Sequence, residues 1–122
     1  MAILMGLSVT AAQAQQVILE GFWWKYKNNN YPDGWANYGA DLAPRLKAMG
    51  INAVWMPLNL KTWMPTNEVY SNGYSPFDNY DLGDKYQHGK LRTNSGTKDE
   101  LLRCVAILHA NGIDVVQDIV LK

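Results

Sequence analysis

Three apolar runs alternate with two amphipathic segments along the chain. Residues 17–24, Val-Ile-Leu-Glu-Gly-Phe-Trp-Trp, form the first run, and residues 51–57, Ile-Asn-Ala-Val-Trp-Met-Pro, the second. The third, residues 112–122, is rich in β-branched side chains and carries one acid, Asp118, near its end. Runs of this kind suit strands of a parallel sheet covered on both faces. Between the first two runs, Trp35, Tyr38, Leu42, Leu46 and Met49 recur three and four apart, the period of a helix. Pro44 interrupts that period: it either opens the main helix after an Asp41 cap or kinks a longer one. Gly50 is a helix stop. Before the third run, Thr97 and Glu100 stand at capping-box spacing, and the helix they open reaches about Asn111, where Gly112 ends it.

The order strand-helix-strand-helix-strand predicts an α/β fold with right-handed parallel crossovers. Two architectures fit, an open doubly wound sheet and a partial TIM (β/α)₈ barrel. The first strand-to-helix loop has no Gly-x-Gly-x-x-Gly or Walker pattern, which counts against nucleotide binding. A complete barrel takes about 250 residues. The 122 residues here would supply its first third, and the sheet partners expected after the third run are missing from the sequence. Residues 58–95 read as a long loop rich in Tyr, Asn, Asp, Gly and Pro. Its aromatic content argues against disorder.

Composition narrows the partners. Eleven basic and eleven acidic side chains give a formal net charge of +0, which argues against nucleic acid or an anionic membrane as the main partner. Five tryptophans and seven tyrosines suit a core, and also flat platforms for a sugar ring. The single cysteine, Cys104, repeats with Leu101, Val105 and Leu108 and reads as a buried structural thiol. No disulfide is possible within the chain, and no Cys/His cluster has metal-ligand spacing. His88 and His109 stand alone, the latter near a helix C-terminus where a cap or a cation is adequate explanation. At the start, the apolar run of residues 1–9 and the small-x-small site Ala12-Gln13-Ala14 make residues 1–14 a signal peptide with a clipped n-region, since the first basic residue is Lys25. A secreted or periplasmic location follows as an expectation. The run is too short to span a bilayer.

In parallel α/β folds, ligands bind at the carboxyl ends of the strands. Three places qualify: residues 23–26, the long loop, and Asp118. Within the loop, Gly73-Tyr74-Ser75-Pro76-Phe77-Asp78-Asn79-Tyr80-Asp81-Leu82-Gly83 resembles the segment after the second barrel strand of the α-amylase family of glycoside hydrolases. Residues 50–57 resemble that family's second strand, and residues 96–101 the start of its second helix. Residues 114–121 resemble its third-strand signature, in which an aspartate precedes an Asn-His pair. The resemblance runs from residue 17 to residue 121 in one register.

That resemblance implies that residues 15–122 are the N-terminal third of a catalytic barrel. It implies an α-1,4-glucan substrate, retaining hydrolysis and a structural calcium ion. Tyr74 matches the tyrosine whose ring stacks beside the sugar at the cleavage point; a loop tyrosine packed as core is the bland alternative. Asp118 matches an aspartate that orients neighbouring active-site groups; by itself it would be a strand-end acid. Trp24 matches an aromatic near the end of the first strand and is a second substrate-binding candidate. Asp78 and Asp81 are expected to fix the loop through local backbone hydrogen bonds. Lys122 stands where the family has the asparagine that ligates calcium, and an ammonium donates only. The family's catalytic carboxylates come from later strands, so the chain is expected to have no catalytic residue and no activity. Glu20 and Glu68 are substitutes that nothing pairs. The alternatives are a non-catalytic glucan-binding remnant using Tyr74 and Trp24, and a truncated product without function. Three barrel strands alone would leave sheet edges and apolar faces in water, with aggregation or loose packing as the consequence.

Overall fold

The computed structural model describes residues 15–23, 28–63 and 73–121. The expectations for residues 1–14, Trp24, Glu68 and Lys122 lie outside these. Three strands, β1 (Ile18–Glu20), β2 (Ala53–Met56) and β5 (Asp114–Gln117), pair in parallel in the order β1-β2-β5. Helices α1 (Trp35–Ala48) and α2 (Lys98–Ala110) supply the crossovers. Between β2 and α2, strands β3 (Lys61–Thr62) and β4 (Pro76–Asp78) form a separate antiparallel pair. The long loop is therefore not irregular throughout. Neither short strand shows in the sequence, because two or three residues carry no readable alternation.

The helices pack on each other and cover one face of the sheet. Alpha-1 presents a small-residue face, with Ala36, Gly39, Ala40 and Ala43 all buried. That allows Cys104 of α2 to come close: a methyl group on Gly39 would stand 3.1 Å from its sulfur. Leu101 and Leu108 complete the α2 face, and Val54 and Met56 meet it from β2. Cys104 is buried as expected, and burial pushes its thiol pKa up to about 11, so it stays protonated and inert at neutral pH.

Pro44 neither starts α1 nor stops it. It lies inside one continuous helix, on the exposed side. One intrahelical hydrogen bond is forfeited, and the buried stripe from Trp35 to Leu46 holds the turns on either side together. Asp41 is likewise mid-helix and caps nothing there; its carboxylate accepts from the Tyr31 hydroxyl at 2.8 Å, which raises the tyrosine pKa. The true start has no side-chain cap. Gly34 holds the N-cap position at φ 118°, and the amide of Ala36 donates to the carbonyl of Ser95 at 2.8 Å. By contrast, α2 opens as read, with both halves of the Thr97–Glu100 capping box formed.

The outer strands are shorter than their apolar runs. After β1, Gly21 donates to the Trp55 carbonyl at 2.9 Å, and its own carbonyl accepts from the Trp35 indole at 2.6 Å. A methyl group there would sit 2.7 Å from the Trp35 ring, so only glycine fits. On the other side, β5 ends at Gln117, with one further backbone bond from Asp118 to the Met56 carbonyl. Beta-2 gives way to Pro57, which has no N–H for a ladder. Ile119, Val120 and Leu121 are left exposed. The sheet face turned away from the helices is also open: Ile18, Trp55 and Val116 are 51%, 39% and 43% accessible.

Candidate functional site

The carboxyl ends of β2 and β5 meet in a compact set of amides. The Asn59 amide nitrogen donates to the Pro57 carbonyl at 2.9 Å and to the Gln117 side-chain oxygen at 2.6 Å. The Gln117 nitrogen returns the bond, donating to the Pro57 carbonyl at 2.7 Å and to the Asp118 carbonyl at 2.8 Å. Each amide group has two N–H donors, so both are fully committed. The chain segments leaving β2 and β5 are tied together at the rim where ligands of parallel sheets bind.

Asp118 is placed at that rim, half-buried, and accepts a hydrogen bond from the Tyr74 hydroxyl. Two of the residues singled out from sequence, 44 positions apart, are therefore in direct contact. The Tyr74 ring is partly buried against the edge of the core. Its hydroxyl is aimed at the strand end, so the tyrosine has both a packing contact and a directional one. Trp24, the third candidate, lies outside the described residues.

Tyr74 is carried by a loop with an ionic centre. Lys61 and Asp81 are both completely buried, 3.4 Å apart. The Lys61 ammonium donates to the carbonyls of Lys85 at 3.0 Å, Lys90 at 3.1 Å and Leu91. Its three protons match three carbonyls, while Asp81 supplies the countercharge. Asp81 in turn accepts from the amides of Gly83 at 2.8 Å and Asp84 at 3.3 Å, and from the Gln87 side chain at 2.9 Å. Asp78 accepts from Gln87 at 2.8 Å and from the Tyr80 amide at 2.8 Å. Those bonds, with Lys85 at 3.2 Å, hold its carboxyl below the usual aspartate range. The local bonds expected of Asp78 and Asp81 are present. Lys61, Asn59 and Gln117 were not picked out. The available signal for Lys61 is a single charge beside Leu58, Leu60 and Trp63; a lysine buried among such residues is almost always paired.

Among the described residues, the loop carboxylates do not suit a calcium ion. It wants six to eight oxygens, and the loop carboxylates of Asp78 and Asp81 are already held by lysines and amides. Among the described residues, no three His, Cys, Asp or Glu side chains are grouped to hold a metal. Glu20 closes β1 in the row of Trp55 and Val116. Two strand spacings, about 10 Å, separate it from β5. A separate, mostly apolar cleft lies between β1 and α1, lined by Leu19, Leu42, Leu46 and Val54 with Glu20 and Tyr38.

No family model matches the chain. Individual relatives do. Over 105 residues it is 38% identical to the glucan 1,4-alpha-maltohexaosidase of Bacillus sp. (strain 707), covering 86% of this chain and 19% of that protein. Over 115 residues it is 33% identical to the alpha-amylase of Bacillus licheniformis, covering 94% of this chain and 21% of that protein. The chain belongs to the α-amylase family. Within the α-amylase family it is also 34% identical over 108 residues to the cytoplasmic alpha-amylase of Escherichia coli (strain K12), covering 86% of this chain and 20% of that protein. Among solved structures, alternansucrase in complex with isomaltotriose superposes with a TM-score of 0.68 at 25% identity, over 84% of this chain and 10% of that one. The chain thus spans about a fifth of the length of the curated relatives it matches. Among the described residues, no helix is long and apolar enough to cross a membrane.

Proposed function

We propose that this chain is the N-terminal part of an α-amylase-type hydrolase that cleaves α-1,4-glucosidic bonds in starch-like glucans with retention. In this reading β1, β2 and β5 are the first three strands of a (β/α)₈ barrel, and export follows from residues 1–14. The observation that carries it is the Tyr74–Asp118 bond at the carboxyl rim of the parallel sheet. A phenol held by its hydroxyl presents a ring of fixed orientation, which a pyranose can stack on. Asp118, held through its backbone to β2, orients the phenol. Asn59 and Gln117 keep the two strand ends in register beneath them.

The chemistry itself needs more. Retaining hydrolysis uses two carboxyl groups about 5 Å apart, one as nucleophile and one as acid/base. The rim set of Asn59, Tyr74, Gln117 and Asp118 contains one carboxylate, already bonded to a phenol, and Glu20 is about 10 Å from β5. The chain by itself binds but does not cleave. Purified chain incubated with starch should release no reducing ends above a protein-free blank; measurable release would overturn the inactivity. Calorimetric titration with maltohexaose should show binding that Tyr74→Ala removes. Binding left unchanged by that substitution would overturn the role of the tyrosine.

A further inference from the structure

The β3–β4 hairpin carries a second aromatic feature. Trp63, just past β3, donates its amide to the Ser75 carbonyl at 3.2 Å, so it is anchored to the strand beside it. Its ring lies 4.7 Å from that of Phe77 and 4.4 Å from the imidazole of His88, and the latter two rings are 4.5 Å apart. The three rings brace one another, yet Trp63 remains 55% accessible. Tyr74 is turned to Asp118 and the core; these rings are turned to each other and to solvent.

The backbone beneath His88 is unusual. Gln87 and Lys90 exchange both backbone hydrogen bonds, at 3.0 and 3.1 Å, around the two-residue turn His88-Gly89. His88 has φ 50° and Gly89 φ 76°. Two successive positive φ values define the tight hairpin turn that favours Asn-Gly or Gly-Gly. Among the described residues, His88 is the single non-glycine with positive φ. Backbone strain of this kind clusters at functional sites, although histidine tolerates it better than most side chains. Here the gain is an imidazole laid against Trp63 and Phe77. The indole remains half in water and open to a ligand.

We propose that Trp63, Phe77 and His88 form a second α-glucan contact, with one pyranose ring stacked on the open face of Trp63. A pyranose has an apolar C–H face for the indole and a rim of hydroxyls for the imidazole nitrogens, which offer one donor and one acceptor when neutral. This contact rests on the glucan reading above, and adds a place where a chain already held at Tyr74, or a neighbouring chain, is gripped.

The test is native electrophoresis of the whole chain at low concentration through gels with and without soluble starch, together with tryptophan fluorescence on adding maltohexaose. Starch should retard the wild type. Trp63→Ala should weaken that retention about tenfold, Trp63→Phe less, and His88→Ala measurably. The maltohexaose-dependent fluorescence change should shrink in Trp63→Phe, which keeps a ring in place and guards against misfolding. Retention equal to wild type in both Trp63 variants overturns the second contact, and if Tyr74→Ala then loses retention the glucan reading stands without it. Retention lost in Trp63→Ala and kept in Tyr74→Ala supports this contact while removing the role given to Tyr74. A wild type that starch does not retard overturns the second contact.

Discussion

Asp81 shares no surface with solvent, yet it sits among residues that the sequence shows as a polar loop. Its oxygens meet amides of its own segment and the ammonium of Lys61, twenty positions earlier. Removing one member of a buried ion pair strands the other, at about 3–5 kcal/mol. Asp81→Ala should therefore lower the urea unfolding free energy by about that amount. A loss under about 1 kcal/mol, the range of an exposed pair, would show the pair to be dispensable. The half of this site that bonds within three or four residues was legible, because aspartates of turns bond amides two residues on. The Lys61 half was not, because no local pattern names a partner twenty residues away. Tyr74 and Asp118 are likewise remote from each other in sequence; position at the strand ends marked Asp118 and the loop, the resemblance gave both residues a role, and folding shows that they touch.

At the scale of elements, the two helices differ in how far local chemistry determines them. Alpha-2 carries its own start: Thr97 accepts from the Glu100 amide at 3.2 Å, and Glu100 accepts from the Thr97 amide at 2.8 Å. The same glutamate takes a two-pronged bond from Arg92 at 2.8 and 2.6 Å. Thr97→Ala should cost about 1 kcal/mol in thermal or urea unfolding; an unchanged midpoint would mean the box is redundant with the Arg92 clasp. Alpha-1 has no such signal. Its first turn is completed by a carbonyl from the segment before α2, so of the two starts the sequence leaves open, a longer helix from Trp35 and a later one after Asp41, local capping chemistry points to the wrong one. The ends of β1 and β5 were overestimated for a related reason. Apolar runs continue past the point where β2 offers a partner, and pairing, not hydrophobicity, sets where a strand stops.

For the molecule as a whole, the two faces of the three-stranded sheet are unequal. One is sealed by α1 and α2; the other shows Ile18, Trp55 and Val116, and among the described residues β1 and β5 are the sheet's edges. Exposed apolar faces beside unpaired edges promote association. The isolated chain should self-associate as concentration rises, and Ile18→Lys with Val116→Lys should suppress it, as read by sedimentation velocity. A monomer at every concentration would contradict this. The order of elements and their parallel pairing were legible because the strand and helix periods are distinct over residues 35–57 and 97–117. The Ser95 carbonyl that finishes α1 has a further consequence, in time. It is added to the growing chain roughly sixty residues after Ala36, about 3–12 s later at about 5–20 residues per second. Until then the amide of Ala36 lacks its native acceptor, so the leading end of the first helix waits on residues made just before the second helix begins.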